Sequence, residues 1–225
     1  MTKENILIGT KSQHVKDNVN KVFDGTMLKD RINILYLDDV NIDYYTNLDN
    51  ISYEDNALSS AMYYAEKSKI NIVIGLSYAL EIECWDFEKP KDLYCLSNEN
   101  YMRFIEETKQ KLKNTKCSSC DYSSIACLYI NNTRQTEFGY GFLDGFFKPE
   151  FPKGNKGDDL ITRFDDIFYI GKPICDDVNN KGNFANTGTT KAEIDKNKNL
   201  AKKYKYVDPV YQSLAVLYEK MKAII

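Results

Sequence analysis

Residues 6–23, ILIGTKSQHVKDNVNKVF, decide the fold. The apolar run within NILIGT (5–10) is short enough to be a buried strand. It ends in the turn Gly9-Thr10-Lys11-Ser12, and Ser12 suits the N-cap of a following helix. In QHVKDNVNKVFD (13–24), Val15, Val19, Val22 and Phe23 fall on one helical face. A strand, a tight turn and a helix at the start predict an α/β chain.

Outward from there, RINILYLDDV (31–40) alternates Ile32, Ile34, Tyr36 and Asp38 against Leu35 and Leu37, which predicts a second strand. An acidic, Asn-rich loop (41–52) leads to YEDNALSSAMYYAEKS (53–68), a helix with Ala57, Ala61, Met62 and Ala65 facing inward. INIVIGLSYALEIECWDF (70–87) reads as strand in two pieces, one running into Gly75, the other alternating Leu80, Ile82 and Cys84 with Glu81 and Glu83. Lys89-Pro90-Lys91 breaks it. NENYMRFIEETKQKLKN (98–114) is an amphipathic helix using Tyr101, Phe104, Ile105, Thr108 and Leu112. SSIACLYI, Asn131-Asn132 and TRQTEFGYGFLDGFF (123–147) form a hairpin. A loop-rich stretch (148–190) holds one amphipathic piece, DLITRFDDIFYIG (159–171). In the last helix, VDPVYQSLAVLYEKMKAII (207–225), Asp208 is the cap and Pro209 the first residue, and Val210, Leu214, Leu217, Met221 and Ile224 form a core stripe. The order β-α-β-α-β-β-α-β-β-loop-α, with no internal repeat, predicts a mixed sheet.

Composition narrows the chemistry. The chain has 225 residues with 43 % hydrophobic and 28 % charged, an ordinary globular balance that fits one domain with insertions. A net charge of −3 leaves no global field for nucleic acid. The lysine-rich stretch 191–205 carries a local +4, from six lysines against Glu193 and Asp195, which leaves nucleic-acid binding a weak reading. One histidine, His14, excludes a site with several histidine ligands. Six cysteines are too sparse for a disulfide scaffold, and Cys117/Cys120 form a CxxC without a second pair, which reads as incidental loop cysteines. The opening segment lacks a signal-peptide core and no stretch approaches the ~20 apolar residues of a membrane span, so the expectation is a soluble, cytoplasmic protein with reduced thiols.

Three constellations could carry chemistry. Thr10, Lys11 and Ser12 at a helix start could hold phosphate, or could simply cap the helix. Asp38-Asp39 ends a strand, Glu54-Asp55 opens a helix, and Glu81 and Glu83 share a strand face; such oxygens suit Mg²⁺, and equally suit a solvated surface. Finally GNFANTGTT (182–190), with Thr189, followed by Lys191, is a phosphate cradle or a solvated loop.

This layout resembles the inosine/xanthosine triphosphatase family, the house-cleaning purine nucleotide phosphatases whose branch includes the C-terminal domain of eukaryotic proline-rich coiled-coil proteins. Four segments carry the resemblance: 6–23, 56–82, 123–147 and 207–221. It implies an elongated mixed sheet flanked by helices, two lobes with a central cleft, insertions at about 85–120 and 150–205, and pairing as a homodimer. It also implies purine nucleoside triphosphate hydrolysis with Mg²⁺, with phosphates held by Thr10, Lys16 and residues near Lys191. The family's first turn reads Thr-x-Asn with a lysine three residues on; here Ser12 stands for the Asn and Val15 for the Lys, with Lys16 one position late. Its second helix carries Gly-Ala and Asn-Arg pairs, where this chain has Ala57-Leu58 and Ser60-Ala61. Its central strand reads Gly-Ile-Glu-Gly-Gly; here Gly75-Leu76-Ser77-Tyr78-Ala79 puts Ser77 at the carboxylate. Glu81 and Glu83 remain as catalytic candidates, although a shift of four residues along a strand is about 13 Å. The inosine triphosphate pyrophosphatase branch, suggested by Phe138-Gly139-Tyr140 and Lys191-Ala192-Glu193-Ile194, ranks second because its Ser-His-Arg is missing. The rival function is a catalytically inactive relative acting as a binding or scaffolding module, with the 98–114 helix as a protein-partner surface.

Overall fold

The computed structural model describes residues 3–24, 26–45, 52–85, 98–112, 118–147, 168–170 and 208–224. The order is β1 (Glu4–Ile8), α1 (Gln13–Phe23), β2 (Ile32–Tyr36), α2 (Tyr53–Ser68), β3 (Ile72–Ile82), α3 (Asn98–Leu112), β4 (Ser118–Ile130), β5 (Gln135–Phe147), β6 (Phe168–Ile170) and α4 (Pro209–Met221). The strands form one six-stranded sheet ordered β2-β1-β3-β4-β5-β6. β1 pairs in parallel with β2 and β3, while β5 and β6 are antiparallel, so the sheet is mixed.

Chain order decides which helix covers which face. From β1 the chain crosses to β2 on one side, then returns past β1 to β3 on the other. Two right-handed crossovers in opposite directions put α1 and α2 on opposite faces. Leu7 and Val73 are indeed buried with Ala61, Tyr64 and Ala65 of α2. On the other face Ser124 of β4 meets Ser213 of α4, hydroxyl to hydroxyl at 2.9 Å. α4 also packs on α1, with Phe23 edge-on to Tyr218 at 5.5 Å. A Cβ on Gly139 would lie 2.0 Å from Ser213 O, and one on Gly141 would lie 1.9 Å from Pro209 O. Those two glycines let α4 rest on the backbone of β5.

By compactness the chain divides in two. The first unit is Met1–Tyr78, Ser123–Gly141 and Asp208–Ile225; the second is Ala79–Tyr122 and Phe142–Val207. In the first unit Ile6, Leu7, Ile8, Leu37, Ile74 and Leu128 are fully buried, each contributing about 1.5–3 kcal/mol. In the second, Trp85 stacks on Phe104 at 5.7 Å and donates from Nε1 to Thr108 Oγ1 at 3.0 Å. Ile105, Thr108 and Leu112 are buried and Phe104 is half-buried, as the pattern of this helix predicts. The side chain of Tyr101 lies outside the described residues.

Several expectations need correction. Met62 is 48 % exposed, and the inward position belongs to Tyr64. β2 stops at Tyr36, so Asp38 and Asp39 lie in a turn: Asp39 Oδ2 accepts from the Tyr36 amide at 2.8 Å, which ends the extended run. Residues 72–82 are one strand, not two pieces, and Glu83 opens a 3-10 turn, Glu83–Trp85. Glu81 and Glu83 therefore do not share a strand face. β4 begins at Ser118, so Cys120 is a buried strand residue and not a loop cysteine. β6 falls at the end of the amphipathic piece 159–171. No helix among the described residues is long and apolar enough to cross a membrane.

Candidate functional site

The turn Gly9–Ser12 is held by the sheet below it and the 37–45 segment beside it. Gly9 N donates to Ile74 O at 2.8 Å, and Leu37 N donates to Thr10 O at 3.3 Å. Thr10 and Ser12 are buried. Thr10 Oγ1 accepts from the Ser12 amide at 3.0 Å, and Ser12 Oγ caps α1 by accepting from Val15 N at 3.4 Å. The Lys11 amide donates to Tyr44 Oη at 2.8 Å. With Thr10 N donating to Ile8 O at 2.7 Å, both hydroxyls and all four amides of this turn are engaged within the protein.

The two lysines are arranged differently. Lys11 Nζ pairs with Asp43 Oδ1 at 3.0 Å, and that carboxylate is 97 % exposed. Lys16 Nζ pairs with Asp38 Oδ2 at 2.8 Å and lies 5.1 Å from the centre of the Tyr36 ring. Burial, with the charges of Asp39, Asp17 and Asp24, pushes the Tyr36 phenol up to about 12, so it stays neutral beneath the ammonium. Val15, which stands where the resemblance expects a lysine, is fully buried. Two cations therefore flank the first turn of α1, each matched by a carboxylate from 37–45 that solvent can reach. Sequence reading missed Asp43 and Tyr44, because a salt bridge and a phenol reaching across 32 and 33 residues leave no local signal.

The central strand offers a contrast. A Cβ on Gly75 would lie 2.1 Å from Ala57 O and 2.7 Å from Ala61 N, so α2 presses on β3 there. Side chains alternate along a strand, so Ser77 points to the same face about 7 Å further on, toward the start of α2. Ser77 is fully buried and Asn56 of α2 is 6 % exposed. Neither Ser77 Oγ nor Asn56 Oδ1 has a hydrogen-bond partner among the described residues. Asn56 carries no motif and was not singled out from sequence. At the outer end Tyr140 stacks on Phe138 at 6.4 Å, and burial together with the Glu54 charge raises its phenol.

Glu81 is half-buried and Glu83 exposed, and both belong to the second unit. Glu54 and Asp55 sit in the first turn of α2, where Ser52 Oγ caps the Asp55 amide at 3.0 Å. Among the described residues no three His, Cys, Asp or Glu side chains are grouped to hold a metal ion. Thr189 and Lys191 lie outside the described residues. His14, set aside at first, reaches Asp208 at the head of α4, Nε2 to Oδ2 at 2.6 Å.

No family model matches the sequence, and no curated protein matches it. Solved structures do. A Ham1 protein from Coxiella burnetii superposes with a TM-score of 0.53 at 15 % identity, covering 74 % of this chain and 82 % of that one. The Staphylococcus aureus Ham1 protein gives 0.52 at 18 %, with 74 % and 81 % covered. A nucleoside-triphosphatase, named dITP/XTP pyrophosphatase, from Mycobacterium abscessus gives 0.51 at 16 %, with 74 % and 83 % covered. The chain has the Ham1, inosine-triphosphatase-like fold: a mixed six-stranded sheet flanked by helices. The likeness carries the fold, and activity is named for the mycobacterial protein alone.

Proposed function

We propose that this chain binds a purine nucleoside triphosphate, or a related phosphorylated ligand, through the first turn of α1, and does not hydrolyse it at the family's carboxylate position. The observation that carries the binding half is the pair of lysines: Lys11 and Lys16 are held in place by Asp43 and Asp38, both open to solvent. Exposed carboxylate pairs of this kind are weak. A phosphate chain brings more charge than one carboxylate and several strong acceptors, so it exchanges with them at little cost. Ser77 carries the second half. A serine cannot take a proton from water as a carboxylate does, and this one is sealed beneath α2. Mg²⁺ then comes with the bound phosphates.

The test is an assay of ITP, XTP and dITP with Mg²⁺, following released phosphate and pyrophosphate, alongside calorimetric titration of the same nucleotides. The expected result is saturable binding without release above buffer. Turnover abolished by Glu81→Gln or Glu83→Gln overturns the second half and restores the enzyme reading. Absence of binding overturns the first half and leaves the fold as a scaffolding module.

A further inference from the structure

We propose that His14 and Asp208 form a pH-tuned clasp that docks the terminal helix α4 onto α1. His14 is the chain's one histidine and lies in the first turn of α1. Its Nε2 stands 2.6 Å from Asp208 Oδ2. The same oxygen accepts from Asn18 Nδ2 at 2.9 Å, and Oδ1 accepts from the Val210 amide at 2.7 Å. One carboxylate thus caps α4 and grips α1 through two side chains. The grip is built: Asn18 is fully buried, its Nδ2 also donates to His14 O at 3.2 Å, and His14 and Asp208 keep only 24 % and 21 % of their side chains exposed.

Among the described residues, few charged groups surround the clasp. On α1, Lys21 Nζ reaches Asn18 Oδ1 at 3.5 Å, and Asp17 accepts from Gln13. On the α4 side Asp208 is the charge among the described residues; in sequence Lys205 and Tyr206 precede it and Tyr211 follows it. Burial alone would raise the Asp208 carboxyl, but the hydrogen bond and charge of His14, with the Asn18 and Val210 donors, bring it below the ordinary value. Asp208 is therefore ionised wherever a histidine changes state. Protonated His14 forms an ion pair with that carboxylate, whereas neutral His14 keeps a hydrogen bond charged on the acceptor side alone, which is weaker. The clasp is tight on the acid side of the histidine range and loosens above it. What it controls is the seat of α4 on Gly139 and Gly141 of β5.

Amide hydrogen exchange of the full chain, corrected for intrinsic rates, reads this out at residues 210–217. Protection is expected to fall about fivefold between pH 5.5 and 8 in the unsubstituted protein. In His14→Gln, which keeps a donor near the Nε2 position but does not titrate, it should be flat over that range. Equal slopes in the two proteins, or no slope in the unsubstituted one, would overturn the clasp. A second measurement covers the case in which His14→Gln does not fold. The His14 ring resonances should titrate at a different midpoint in Asp208→Asn than in the unsubstituted protein, and identical midpoints would refute the pairing.

Discussion

The turn at Gly9–Lys16 and the strand position Ser77 sit on the same unit and differ in almost every physical respect. At the turn, the two lysines are paired with carboxylates that solvent can reach, so those carboxylates can be exchanged for a ligand's oxygens. At Ser77 the polar group lies under a helix that presses on the strand two residues away. On the proposed function, the difference separates phosphate recognition from water activation on this fold. Recognition needs exchangeable cations at a helix start, and activation needs an ionised group with access to water. The chain has two lysines with solvent-reachable partners at the first place and a buried serine at the second.

The comparison can be broken at four places. Gly75→Ala should have the largest effect, because the added Cβ meets backbone atoms of α2 that cannot turn aside. A loss of about 3 kcal/mol is expected from such overpacking, measured as a drop in the denaturant midpoint; a neutral result would mean α2 does not seal the strand. Ser77→Glu comes next. A carboxylate at a fully buried site without a partner should cost about 2–3 kcal/mol, or be held protonated, and should not create turnover. Recovered hydrolysis in that variant would show that only the carboxylate had been missing.

Asp208→Ala removes the cap of α4 together with the acceptor of His14 and Asn18, and should cost about 1–2 kcal/mol by thermal or denaturant unfolding. The sign with pH follows from the lowered Asp208 carboxyl. Its stabilising contribution is fully present above the unfolded value of about 3.9 and is lost as pH falls through the lower folded value. Unfolding measured from pH 5 to pH 2 should show a shallower loss in Asp208→Asn. The smallest structural effect belongs to Lys11→Ala and Lys16→Ala. As exposed or part-exposed ion pairs they should each change stability by less than about 0.5–1 kcal/mol.

Much of the fold was legible because its signals are local. The α1 and α4 caps, Ser12 and Asp208, act within three residues of themselves. The stripe Val210, Leu214, Leu217 and Met221 repeats at helical spacing and is buried as that spacing requires. The failures arose where tertiary contact outweighs local pattern. Met62 is apolar, but Tyr64 takes the core position, and its hydroxyl accepts from the Tyr45 amide at 3.0 Å. The end of β2 at Tyr36 depends on where one Asp39 oxygen lands, which alternation does not encode. Of the candidate site, Thr10, Lys11, Ser12 and Lys16 were visible as a turn before a helix. Their partners Asp43, Tyr44 and Asp38 lie across a loop, and the link between Asn18 and Asp208 spans 190 residues. No sequence pattern ties such groups together before the chain has folded.

The central claim rests on the two lysines. Its most direct test is calorimetric titration of ITP, with Mg²⁺, into the unsubstituted chain and into the double variant Lys11→Ala/Lys16→Ala. Micromolar binding that weakens about tenfold or more in the variant, with both proteins equally stable, is the predicted result. Equal affinity in the two proteins, or no binding by the unsubstituted chain, would contradict it.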